Sequence, residues 1–213
     1  MTDVHDDALT SASGTPGPRE VFVSYSRADL ARARELVDRL EAAGRSVWVD
    51  WSGIPPTAEW MSEVESGIDA CPGVVVLMSR SSIRSEICGR EVAHALASGK
   101  RLVPVALEDL DADDVPDALA RLNWIFARPS DDLDGAVARI GEGLDLDLGQ
   151  VREHTRILVR SKEWQASGED RSRLLRGAEL ATAENWLATS GEDPRPTAGQ
   201  RAYVGASRAQ ADR

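Results

Sequence analysis

VFVSYSRAD, residues 21–29, decides how the rest of the chain is read. Its first half is a short, continuously apolar, β-branched and aromatic run. Such a run suits a strand covered on both faces. Its second half turns abruptly polar, with Ser24, Tyr25, Ser26 and Arg27 in succession. ADLARARELVDRLEAAG then repeats apolar residues at helical spacing (Leu30, Ala33, Leu36, Val37, Leu40), with Asp29 as a possible N-cap and Gly44 as a stop. A buried strand, a polar turn and an amphipathic helix make the first half of a βαβ unit.

The same alternation continues outward. Further apolar runs are RSVWVD (45–50), GVVVLMS (73–79), RLVPVAL (101–107) and LNWIFA (122–127). Thr57 can cap a helix whose face is Trp60, Met61, Val64 and Ile68. SEICGREVAHAL (85–96) reads as the next helix, stopped by Gly99. The acidic connection EDLDADDVPDALAR carries one short helix, and a last helix spans about 131–142. Strands alternating with helices predict a parallel sheet with right-handed crossovers. The expected fold class is α/β, a flavodoxin-like doubly wound five-stranded parallel sheet. In such folds ligands sit beyond the carboxyl ends of the strands, where the strand order reverses. Those ends are Ser24 to Arg27 and Ser79 to Ser82.

The chain has 213 residues and a formal net charge of −11. That balance argues against a nucleic-acid face and against an anionic membrane surface. Two cysteines, Cys71 and Cys88, sit inside apolar patterns and suit a reducing, cytoplasmic setting. The three histidines are far apart, so no metal spacing exists. Residues 1–18 read as a disordered leader, acidic and small-residue-rich, without the pattern of a signal peptide. No apolar run approaches a membrane span. Beyond 149 the pattern becomes helical. Residues 150–167 carry Val151, Ile157, Leu158 and Trp164, and 171–189 carry Leu174, Leu175, Leu180, Trp186 and Leu187. Thr197 and Gln200 then form a capping box. The expected division is a leader (1–18), an α/β domain (19–148) and a helical extension (149–213).

Neither GxxxxGK[ST] nor GxGxxG follows the first strand, and no carboxylate pair ends it. SYSR is either a polar turn or a set of hydroxyls, a ring and a cation able to hold a phosphate-bearing ligand. DWSGIPPTAEW (50–60) is either an ordinary connection or a stiff, partly apolar arm for protein contact through Trp51, Gly53, Ile54, Pro55 and Pro56. Trp124 reads as core. Glu91 is unusual. Ile87 and Ala95 stand four residues away, Cys88 and His94 three away, so no helical neighbour neutralises it. It lies about 100° from the Val92 face, at the edge of the buried stripe.

Taken together, VFVSYSRAD, VDWSGIPP, SEICGREVAHALASGKRLVPV and NWIF resemble the bacterial branch of the Toll/interleukin-1 receptor (TIR) domain family over about residues 19–143. The resemblance implies NAD hydrolysis, with or without cyclisation of the ADP-ribose, and self-association with other TIR domains. NAD is then the substrate, and no cofactor or metal is called for. The family's catalytic glutamate lies in a pattern like S-x-W-C-x-x-E, matched here by Ser85, Ile87, Cys88 and Glu91, with Ile87 where tryptophan is common. Glu91 is thereby the expected catalytic residue. Ser24, Tyr25, Ser26, Arg27 and Ile87 are the expected substrate-binding set, and Trp51 with Gly53 to Pro56 the self-association loop. The extension resembles the helical connector that follows TIR domains in large bacterial multidomain proteins. Two other readings stand beside this one: a TIR interaction module without activity, and a nucleoside deoxyribosyltransferase-like enzyme, which the SYSR turn and the proline-rich arm fit less well.

Overall fold

A computed structural model of the chain describes residues 20–51, 57–191 and 194–213. The expected leader and the GIPP segment, Gly53 to Pro56, therefore lie outside the described residues. Five parallel strands form one sheet in the order β2-β1-β3-β4-β5. They are β1 (Val21–Ser24), β2 (Val47–Trp48), β3 (Gly73–Met78), β4 (Arg101–Ala106) and β5 (Ile125–Phe126). The order reverses between β1 and β3, as the doubly wound reading expects. The long central strands carry the apolar runs. The two edge strands keep only two paired residues each.

Alternation along the strands sorts side chains into two layers. Val21, Val23, Val75, Leu77, Val103 and Val105 face α1 (Leu30–Ala42) and α6 (Leu133–Asp145). Phe22, Val74, Val76 and Met78 face the other side, covered by α2 (Ala58–Ala70) and α4 (Glu86–Ala97). The four-residue helices α3 (Arg80–Ile83) and α5 (Asp117–Ala120) lie in the connections that follow β3 and β4. Thr57 caps α2 through the Trp60 amide, as its position predicts. Asp29 departs from expectation. Its carboxylate makes no cap to α1 and instead accepts from the Ser79 hydroxyl at 2.6 Å, joining the ends of β1 and β3.

The extension has its own core. Ile157 and Trp164 on α7 (Leu148–Ala166), Leu180 and Trp186 on α8 (Gly177–Thr189), and Tyr203 on α9 (Ala198–Ala211) pack together with Leu174 and Leu175. The expected single helix over 171–189 is instead a turn followed by α8. Tyr203 donates to the Arg173 carbonyl at 2.6 Å, and the Leu175 amide donates to Ser207 at 3.1 Å. Those tertiary bonds take the backbone groups that a helix there would use. The capping box of Thr197 and Gln200 is formed. Gly99, at φ +64°, ends α4, and a Cβ there would stand 2.6 Å from the Arg195 carbonyl and 2.9 Å from His154 Nε2. The extension therefore packs directly on the α4–β4 turn.

Candidate functional site

The site follows from strand alternation and one helix cap. Phe22 and Ser24 point to the α2/α4 side of β1. Ser85 caps α4 through the Cys88 amide, which fixes the start and the rotation of that helix. Cys88, Val92 and Ala95 then face the sheet, and Glu91 lies beside them. Ser24 Oγ donates to Glu91 Oε2 at 2.5 Å. Both residues are buried, Ser24 2% and Glu91 7% exposed.

Above this pair opens a cleft of about 200 Å³ at the carboxyl ends of β1 and β2. Tyr25, Ser26, Arg27, Asp50, Trp60 and Ile87 line it, with Glu91 at its floor. The Tyr25 hydroxyl donates to the Asp50 carbonyl at 2.9 Å, and Trp60 Nε1 donates to the Asp50 carboxylate at 3.1 Å. These bonds tie the β1 turn, the end of β2 and the first turn of α2 into one rim.

The electrostatics are unusual for a helix glutamate. Burial pushes Glu91 up to about 7; the nearby Asp50 carboxylate adds to the rise, and the Ser24 hydrogen bond opposes it. Burial likewise raises the Cys88 thiol and the Tyr25 phenol. Among the described residues no ion pair involves Glu91.

The structure brings Tyr25, Ser26, Arg27, Ile87 and Glu91 together at one cleft. Ser24 lies beneath, with its hydroxyl directed at Glu91 and not at the cleft mouth. Trp51 stands at the edge, 38% exposed, its ring 5.3 Å from that of Tyr25 and under the Arg34 guanidinium at 5.6 Å. Asp50 and Trp60 were not expected at the site. The signal for Asp50 was its place at the end of the second apolar run, on the same rim as SYSR. Trp60 reads as core and is mostly buried, yet its indole also walls the cleft. Trp124 packs against the core, as expected, and donates to the Leu119 carbonyl at 2.9 Å. Among the described residues no cluster of His, Cys, Asp and Glu suits a metal, and no helix is long and apolar enough to cross a membrane.

A doubly wound α/β domain with a buried carboxyl at its switch point is the class that fold and cleft define. The TIR domain family model matches residues 21–140, and the chain belongs to that family. Over 103 residues it is 31% identical to a probable 2' cyclic ADP-D-ribose synthase from Brachypodium distachyon, a match covering 47% of this chain and 46% of that protein. The chain thus spans about half the length of this curated relative. In fold it is similar to the TIR domain of the Toll-related receptor TRR-2 from Hydra magnipapillata, with TM-score 0.50 and 18% identity, over 58% of this chain and 96% of that one. A metazoan TIR-STING receptor from C. gigas aligns at TM-score 0.46 and 27% identity, over 58% of this chain and 41% of that one.

Proposed function

We propose that this chain is an NAD+ glycohydrolase of the TIR type, releasing nicotinamide and leaving ADP-ribose or a cyclic isomer. The observation that carries the reading is the Glu91 carboxyl, buried at the floor of the switch-point cleft and held by Ser24. The name of the Brachypodium relative supports NAD as the substrate class.

The chemistry suits a lone carboxylate. When the bond between ribose C1′ and the nicotinamide ring nitrogen breaks, its electron pair neutralises the ring. The leaving group is then a neutral amide that needs no general acid. Positive charge develops on the ribose instead, as in other glycoside cleavages. The ionised Glu91 stabilises that charge, and the low-polarity floor strengthens the attraction. Water adds to C1′ and loses a proton to give ADP-ribose; a ribose hydroxyl of the same molecule in place of water gives a cyclic product. Ser24 orients the carboxylate. Tyr25, Ser26, Arg27 and Ile87 hold the substrate from the rim.

Self-association is part of this proposal. The arm of Trp51 and Gly53 to Pro56 from a second copy completes the cleft, so that assembly switches activity on. The bacterial branch, a role as a cytoplasmic defence or signalling effector, and other TIR domains as partners belong to the same reading. The alternative is a TIR interaction module without activity, favoured by Ile87 standing where tryptophan is common in the family. Incubating concentrated protein with NAD and resolving the products by chromatography separates the two. Nicotinamide release supports the enzyme, and unchanged NAD supports the module.

A further inference from the structure

We propose that Asp69 is a positioning residue through which the C-terminal helices set the geometry of the cleft. This deepens the glycohydrolase reading and rests on it for its catalytic consequence, not for its structural one.

Two helices wall the cleft, and each meets it with its first turns. Trp60 stands near the start of α2, and Ile87 and Glu91 lie in the first half of α4. Their far ends converge on Asp69, at the end of α2. Its Oδ1 lies 3.0 Å from Nε2 of His94 and accepts from the Ser98 hydroxyl at 2.9 Å, both on the last turn and cap of α4. Its Oδ2 accepts from Lys162 Nζ on α7 at 2.5 Å. Lys100, 5% exposed, reinforces the junction, donating to the Asp69 carbonyl at 2.7 Å and to Thr155 on α7 at 3.1 Å. Thr155 and Lys162 lie seven residues apart on α7, two helical turns along one face.

One carboxylate thus joins α2, α4 and α7. Burial alone would raise it, but the hydrogen bonds from His94 and Lys162, with the Lys162 charge and Ser98, hold it at about 2. It is ionised at neutral pH. A helix is a stiff rod of about 1.5 Å rise per residue, so α2 spans roughly 14 Å between Asp69 at the clamp and Trp60 at the cleft. A tilt at the clamp reappears as a shift of Trp60 against Glu91. Movement of α7 is therefore felt at the site through a continuous network of packed groups.

Glu91 reports this spacing, because Asp50, Tyr25 and Cys88 face it from the segment after β2, the β1 turn and its own helix. The test is Lys162→Met in the full chain, with Lys162→Arg as its conservative partner. Lys162 is 41% exposed, so the methionine removes the charge without opening a cavity. The readout is the Glu91 titration by carbon NMR on protein labelled at glutamate carboxyls, assigned with Glu91→Gln, beside kcat at pH 8.5. The expected result is a Glu91 titration lowered by about one unit in Lys162→Met as water enters a loosened cleft. kcat falls about ten-fold from misplacement alone, and Lys162→Arg restores both. A Glu91 titration unmoved in Lys162→Met overturns the proposal, as does failure of arginine to restore it. Should the methionine variant not fold, Ser98→Ala removes another donor to Asp69 and is read the same way. If no form consumes NAD, the glycohydrolase reading fails, and the titration still decides the clamp.

Discussion

Ser24 at the end of β1 and Glu91 in α4 are joined across 67 residues of chain by a 2.5 Å hydrogen bond at the floor of the cleft. The bond favours the ionised carboxyl, while burial and Asp50 oppose ionisation. The balance leaves Glu91 titrating near neutrality.

The first consequence is a pH profile. In the proposed reaction the carboxylate form of Glu91 acts, so kcat/KM is expected to rise with pH on a limb centred at about 7. Ser24→Ala removes the group that favours ionisation. Its limb moves to higher pH by about one unit, with a loss of roughly five-fold at pH 7 that narrows at pH 9. A limb that stays in place in Ser24→Ala contradicts the assigned role of Ser24.

Stability carries the same information with the opposite benefit. Glu91 is raised from 4.5 unfolded to about 7 folded. The folded state binds the proton more tightly, so this contribution is present below pH 4.5 and is lost as pH rises to 7. At pH 8 it amounts to about 3 kcal/mol against folding. Glu91→Gln therefore melts at a higher temperature than the parent at pH 8 and at a similar one at pH 4.

His154 runs the other way. It is 1% exposed, beneath Trp186, and burial first, then Lys100, lowers it to about 4 against 6.5 unfolded, with a backbone bond to Arg195 opposing. Its contribution is complete above pH 6.5 and is lost as pH falls toward 4. The two shifts nearly cancel between pH 5 and 6.5. The parent shows a flat melting temperature over that range, and Glu91→Gln shows one that climbs with pH. A flat profile in Glu91→Gln refutes the pairing.

Ile87 lines the cleft where the family pattern carries tryptophan. Ile87→Trp adds a ring face to the substrate side. KM for NAD falls roughly two- to ten-fold, the worth of one aromatic contact. Steady-state kinetics at fixed protein concentration check this.

If a neighbouring copy completes the site, activity per molecule rises with concentration, and Trp51→Ala needs more protein to reach the same value. Specific activity that stays constant down to monomeric dilution removes the shared site from the account.

Much of this was legible because period and polarity change together. VFVS followed by SYSR marks a buried strand and its rim, and the missing cation around Glu91 marked a carboxyl set apart from the ordinary solvated kind, which the structure buries at the cleft floor. What was not legible lies in tertiary pairing. Nothing local says that the Ser24 hydroxyl turns down to Glu91 instead of outward, because that depends on how α4 is rotated by its Ser85 cap. Asp29 reads as a cap until β3 brings Ser79 to it. Leu174 and Leu175 fit a helical pattern until α9 takes the Arg173 carbonyl and the Leu175 amide on either side of Leu174. The Asp69 junction was invisible for the same reason: its partners come from α4 and α7, far along the chain.

The most direct measurement is nicotinamide release from NAD by concentrated parent protein and by Glu91→Gln, each shown to be folded and equally associated. The account predicts turnover by the parent and a loss of about 100- to 1000-fold in the variant, the scale of one electrostatic group in an active site. Equal rates from the two proteins contradict it.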